Sequence, residues 1–213
     1  RNNWTPAVHA ALTQMIQTYG VGGAEFKPEQ HRYVVFDFDN TSVINDVQEA
    51  LLIYQIENLR FAIDPENMVD VLATGIPDVD QSFGEDYNDL TVAIVAEDIA
   101  ADYLWLYENY EGFAAGGTLD LAAIHESNEY LDFRAKLRFL YDAINDTFDA
   151  SVGYPWVTYL FAGMTPEEVR ALAKESHLYW TKYYVFTKVK WESPADLPGK
   201  AGVVSTSYKT AIT

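Results

Sequence analysis

Asp37 and Asp39 stand one residue apart in FDFDNTSVINDVQEALL, Phe36 to Leu52, at the end of an apolar run and just before Asn40 and Thr41. Carboxylates so placed repel one another, and burial penalises both, so the pattern calls for a compensating positive charge. A divalent cation supplies one: hard oxygen ligands with open water positions suit Mg²⁺, and the carbonyl between the two side chains can assist. With the charge screened, one carboxylate can attack a phosphorus atom in line. The other can protonate the leaving alcohol and afterwards activate water. A hydroxyl at Thr41 can orient the loop, and backbone N–H groups around Asn40 to Ser42 can hold phosphoryl oxygens.

Two blander readings compete. An EF-hand loop counted from Asp37 needs Gly at its sixth position and Glu at its twelfth, where this chain has Ser42 and Gln48, so calcium-loop chemistry fails. Asp39-Asn40 as a mere turn and helix cap is a common arrangement, but it leaves Asp37 directly after Val-Val-Phe unexplained. His9, His31, His125 and His177 are scattered without metal-ligand spacing and are assigned no role.

The elements that must position the pair follow from periodicity. Four apolar residues, Tyr33 to Phe36, predict a short strand buried on both faces, as in a parallel sheet. After Thr41 the period changes: Ile44, Val47, Leu51 and Tyr54 recur at helical spacing, which puts the carboxylates on a strand-to-loop-to-helix junction. Upstream, TPAVHAALTQMIQTYG predicts a helix with Thr5 as N-cap, Pro6 at its first position and Gly20 as terminator. Most of 43 to 150 is helical in character. TPEEVRALAKES predicts another helix, with Thr165 and Glu168 closing a capping box, and KYYVFTKVKW with AGVVSTSY predicts a β-hairpin.

Composition bounds the function classes. The 213 residues carry 32 acidic against 14 basic side chains, a formal charge of -18, which argues against nucleic acid as a partner because phosphate neutralisation needs clustered Lys and Arg. Fifteen Tyr and five Trp in so negative a chain would suit a cationic small molecule, since quaternary ammonium groups are held by aromatic faces and a nearby carboxylate. With no cysteine there is no disulfide, no Cys-ligated zinc and no thiol nucleophile in these residues. The longest apolar run, LTVAIVA, stops at Glu97, so no membrane span is predicted. The start at Arg1 is what removal of a secretory signal peptide would leave.

YVVFDFDNTSV resembles the first motif, DxDxT after a hydrophobic strand, of the haloacid dehalogenase (HAD) superfamily phosphatases. The resemblance implies an α/β fold: a HAD-like Rossmannoid core, incomplete in this chain, with an inserted and mainly helical cap. It implies residues 1–42 as N-terminal helix and first core strand, 43–163 as cap, and 164–213 as the return to the core, stopping short of the second catalytic motif. It further implies Asp37 as the nucleophile that forms an aspartyl-phosphate, Asp39 as general acid and base, Thr41 as a supporting hydroxyl, and Asp37 with the Asp39 carbonyl as Mg²⁺ ligands. DFDNTSVINDVQEALL together with GYPWVTYLFAGMTPEEVRALAKE is similar to the phosphorylcholine phosphatase branch, bacterial secreted or periplasmic enzymes with a YPW, an F-x-G and a T-x-x-E run in that order. That similarity suggests a small phosphate ester such as phosphorylcholine as substrate. Tyr154 and Trp156 would then be candidate walls of an aromatic cage, and Asp46 or its rival Glu49 the carboxylate facing the amine.

The superfamily also needs a phosphate-binding Ser or Thr, a Lys and a third acidic metal site after later strands. The pair Ser205 and Lys209 in VVSTSYKT is a poor match for these, so a complementary C-terminal fragment is expected to supply them. Two alternatives remain: a non-catalytic binding protein for choline-like cations, and an inactive portion of a longer phosphatase. A dehalogenase is disfavoured, since it needs no second aspartate.

Overall fold

The computed structural model of the chain describes residues 4–30, 33, 35–41, 46–113, 116–182, 187–195 and 197–209. The chain is mixed α/β and mostly helical, with one antiparallel pair of strands among the described residues. It divides into two units, residues 1–36 and 37–213.

The first unit contains α1 (Pro6–Tyr19). Its start follows the sequence expectation: Thr5 Oγ1 accepts from Val8 N at 3.4 Å, Pro6 takes the first helical position, where a missing N–H is harmless, and Gly20 N closes on Ile16 O at 2.8 Å. No residue of α1 is buried; Val8, Met15, Ile16 and Tyr19 all lie exposed.

Beyond it the expected strand is corrected. Tyr33, Val35 and Phe36 belong to no strand, and with 85%, 78% and 71% of their surface exposed they are not buried on either face. Val34 lies outside the described residues. A strand is defined by the neighbour that satisfies its backbone, and the two strands that do form pair with each other, leaving this segment without a partner strand among the described residues.

The second unit is built on helices. It runs through α2 (Val47–Asn58), α3 (Met68–Ala73), α4 (Val92–Asn109), α5 (Leu121–His125), α6 (Asn128–Thr147), α7 (Ala150–Trp156) and α8 (Pro166–Trp180). The hairpin of β1 (Thr187–Glu192) and β2 (Val204–Lys209) closes it, in a register that sets Trp191 opposite Ser205. The long helices α4 and α6 pack together through Val95, Ile99, Tyr103 and Leu106 on one side and Phe133, Leu137, Leu140 and Ile144 on the other, all essentially fully buried. Each such side chain contributes roughly 1.5–3 kcal/mol on removal from water. Phe61 meets Tyr103 and Phe133 edge-on with ring centroids 6.2 and 5.7 Å away, and the Tyr103 hydroxyl donates to Ile63 O at 2.8 Å, so no polar group is stranded there.

α8 begins as its sequence requires. Thr165 Oγ1 accepts from Glu168 N at 3.3 Å while the Glu168 carboxylate accepts from Thr165 N at 2.7 Å, a complete capping box. The hairpin packs against α6, with the Arg134 guanidinium 5.5 Å from the centre of the Trp191 ring.

Candidate active site

The stretch from Asp37 to Thr41 is a tight turn. Thr41 N donates to Phe38 O at 3.3 Å, and Asn40 takes the left-handed conformation, φ 52°, that a short polar side chain tolerates better than most. The turn folds the hydroxyl of Thr41 back onto Asp37, whose Oδ2 accepts from Thr41 Oγ1 at 2.9 Å. Asp37 is exposed and Asp39 half-buried.

Asp39 is held by α2. Its Oδ1 accepts from Val47 N at 2.9 Å, which satisfies one of the N–H groups that the first turn of a helix leaves without an internal partner. The positive end of the helix dipole therefore faces the Asp39 carboxylate. Asp46 does a similar task one residue earlier as the N-cap, accepting from Glu49 N at 2.6 Å. The helix begins at Val47, and Ile44 lies outside the described residues. The signal was present in the sequence: Asp46-Val-Gln-Glu49 has the cap and third-position spacing of a helix start.

The other residues expected at the site have bonds of their own. Glu49 Oε1 lies 2.5 Å from Arg138 Nη2 of α6, and the same guanidinium bonds Asp142 through Nη1 and sits over the Tyr141 ring. Burial pushes the Glu49 carboxyl up despite Arg138, whereas for Arg138 the neighbouring Asp142 and Glu49 outweigh burial and hold the charge in place. The contact is an ion pair, because a guanidinium does not give up its proton in proteins and the geometry is that of a charge-assisted bond. Trp156 is a core residue, 1% exposed, and its indole N–H donates to Leu72 O at 2.8 Å. Tyr154 is exposed, and its carbonyl accepts from Gln48 Nε2 at 3.1 Å, which brings it to the first turn of α2. Ser205 is buried in β2, opposite Trp191.

Sequence reasoning passed over what lies on the other side of that turn. A cavity of about 290 Å³, mainly apolar, is lined by Val47, Gln48, Leu51, Phe161, His177 and Trp180. The Phe38 ring, between the two aspartates in sequence, lies 6.3 Å from the His177 ring. Nothing in the sequence signalled this cavity, because its walls come from α2, the segment after α7 and α8.

The Asp37 carboxylate and the Asp39 carbonyl are hard oxygen donors, a donor set that fits Mg²⁺, which keeps most of its water and takes one or two carboxylates with substrate phosphate. Among the described residues no group of three acidic or histidine side chains adds a protein cage.

In GYPWVTYLFAGMTPEEVRALAKE several residues have structural tasks. Beyond Trp156 and the Thr165 capping box, Gly163 has φ +83°, and a Cβ there would meet Ala62 O at 2.0 Å. Only glycine fits that approach.

No family model matches the chain, and no curated protein matches it. It is similar to a conserved protein of unknown function from Anaerococcus prevotii, known from a crystal structure, at 26% identity and a TM-score of 0.82. The match covers 98% of this chain and 55% of that one, so the chain spans about half the length of this relative.

Proposed function

We propose that this polypeptide is the nucleophile-bearing part of a Mg²⁺-dependent phosphomonoesterase of the HAD type, acting on a small phosphate ester. The observation that carries the proposal is the Asp37–Thr41 turn docked on the N-terminus of α2, with its two carboxyls separately held. Thr41 fixes the rotamer of Asp37, whose carboxylate attacks phosphorus; the bond to the ester oxygen breaks as Asp39 gives that oxygen its proton. Asp39 then takes a proton from water, which attacks the aspartyl-phosphate; the bond between phosphorus and Asp37 breaks, releasing phosphate and restoring both carboxyls. Mg²⁺, held by Asp37 and Asp39, would lower the repulsion between the attacking carboxylate and the phosphate oxygens.

The alcohol part of the ester has a place to go in the cavity beside Val47. Phosphorylcholine is the substrate that the sequence resemblance suggests. Its quaternary ammonium would meet Phe161, His177 and Trp180 there, since Asp46 and Glu49 are engaged in the capping and ion-pairing of α2. The phosphate-binding hydroxyl and the lysine that stabilises the aspartyl-phosphate are proposed to come from a complementary segment of polypeptide.

The test is phosphate release from phosphorylcholine, phosphoserine and p-nitrophenyl phosphate by the polypeptide together with its complementary segment, with and without Mg²⁺, beside Asp37→Asn. Metal-dependent release that the variant lacks is the expected result. Choline binding in EDTA with no release under any condition would favour a non-catalytic binding protein instead.

A further inference from the structure

Away from the aspartate turn, the loop joining β1 to β2 is fastened to α4 and α6 by a group of five charged side chains, three of them fully buried. Lys136 Nζ lies 2.8 Å from Asp98 Oδ2 and 2.7 Å from Asp132 Oδ2. Lys200, from the hairpin loop, bonds Asp102 Oδ1 and stands 3.7 Å from Asp132 Oδ2. Beside it Ala201 N donates to Asp98 Oδ2 at 3.0 Å, and the loop is pinched shut by Ser193 N on Val203 O at 3.0 Å. Asp102, Asp132 and Lys136 have no exposed surface at all.

The charges do not balance. Three carboxylates face two ammonium groups, and the side chains of Asp102, Asp132 and Lys136 are fully buried, where an uncompensated charge is strongly destabilising. The hydrogen bonding does not balance either. Asp102 Oδ2 and Asp132 Oδ1 are both buried, and each lacks a hydrogen-bond donor. Lys200 Nζ stands against both carboxyl groups, bonded to Asp102 Oδ1 and 3.7 Å from Asp132 Oδ2. A single proton addresses both deficits: it cancels the excess charge, and it gives the pair a donor that it otherwise lacks.

We propose that the folded chain retains one proton between Asp102 and Asp132, and that this proton is a clasp holding the hairpin loop against α4 and α6. The charged groups facing the pair are Asp98 from α4, Lys136 from α6 and Lys200 from the loop; Asp86 and Glu192 line the neighbouring cavity of about 490 Å³, which Asp132 and Lys200 also reach. Burial, opposed by the bond from Lys200 and reinforced by Asp132, pushes the Asp102 carboxyl up to about 8. The folded pKa thus exceeds the unfolded one, so the folded chain binds the additional proton. The stability this provides is full below the ordinary carboxylate range, declines as pH rises from there, and is gone once pH passes about 8. Within that interval one extra bound proton raises the unfolding constant about tenfold per pH unit. The loop amides of Ser193, Ala201 and Val203 should lose their protection from hydrogen exchange in alkaline solution before those of α4 and α6.

The direct test is carbon NMR of the chain labelled at aspartate carboxyl carbons, titrated from pH 5 to pH 10. One carboxyl of the cluster still protonated at pH 7, titrating in the alkaline range, is the expected result; all of them ionised at pH 7 in the folded chain would overturn the clasp. Asp102→Asn, which keeps a donor toward Asp132, should remove the alkaline titration and preserve loop protection above pH 8. Should that variant not fold, the wild-type titration alone decides.

Discussion

The hydroxyl of Thr41 lies 2.9 Å from Oδ2 of Asp37, so a side chain four residues further along sets the orientation of the proposed nucleophile. Removing it by Thr41→Val should leave the fold intact, since both residues are exposed. It should lower kcat/KM of the catalytically complete polypeptide about tenfold, the equivalent of ~1.4 kcal/mol. Thr41→Ser should recover most of the loss. Steady-state kinetics on one ester with the three proteins checks this, and a variant as active as the parent would show that the contact is incidental.

Trp156 offers a test of fold against ligand binding. Trp156→Phe keeps most of the ring but strands the Leu72 carbonyl, which should lower stability by about 1–3 kcal/mol. Thermal unfolding should shift downward while choline affinity by calorimetry stays unchanged. A selective loss of affinity at constant stability would restore Trp156 as a cage wall.

Arg138 joins α2 to α6 by holding Glu49 and Asp142 together. Arg138→Met should destabilise the chain by about 3 kcal/mol, because it leaves the Glu49 carboxylate buried beside a second acid. Glu49→Gln should cost less, and it should not change the ratio of activities on phosphorylcholine and p-nitrophenyl phosphate. A fall in that ratio would mean that Glu49 faces the substrate's ammonium group after all.

Gly163→Ala is expected to be the most damaging of these changes for its size. It combines a left-handed backbone with a Cβ placed against Ala62 O, and strain of the first kind alone is worth about 1–3 kcal/mol. Denaturant unfolding with an unchanged slope and a lower midpoint is the expected signature.

What could be read from the sequence was whatever a local rule determines. Thr5-Pro6 and Thr165-Pro166-Glu168 announce helix starts because capping is settled within four residues. The alternation in KVKW and the turn residues after it announce a hairpin for the same reason. Tyr33, Val35 and Phe36 form no strand among the described residues, because an apolar run states only that a segment suits a strand, and pairing also needs a neighbour. At the site, the spacing of Asp37, Asp39 and Thr41 was legible, and the turn that joins Thr41 to Asp37 is local. The separate employment of Asp46, Glu49 and Trp156 was not, since Arg138 lies 89 residues from Glu49 and Leu72 lies 84 from Trp156. The cavity beside Val47 is likewise assembled from three distant segments.

The central claim is that phosphoryl transfer passes through Asp37, and the most direct measurement is to trap the adduct. The catalytically complete polypeptide would be incubated with acetyl phosphate or p-nitrophenyl phosphate and Mg²⁺, quenched in acid, and mapped by peptide mass spectrometry. The account predicts one phosphoryl group, labile to hydroxylamine, on the peptide containing Asp37 and absent from Asp37→Asn. Phosphate release that proceeds equally in Asp37→Asn, or an adduct on any other side chain, would contradict it.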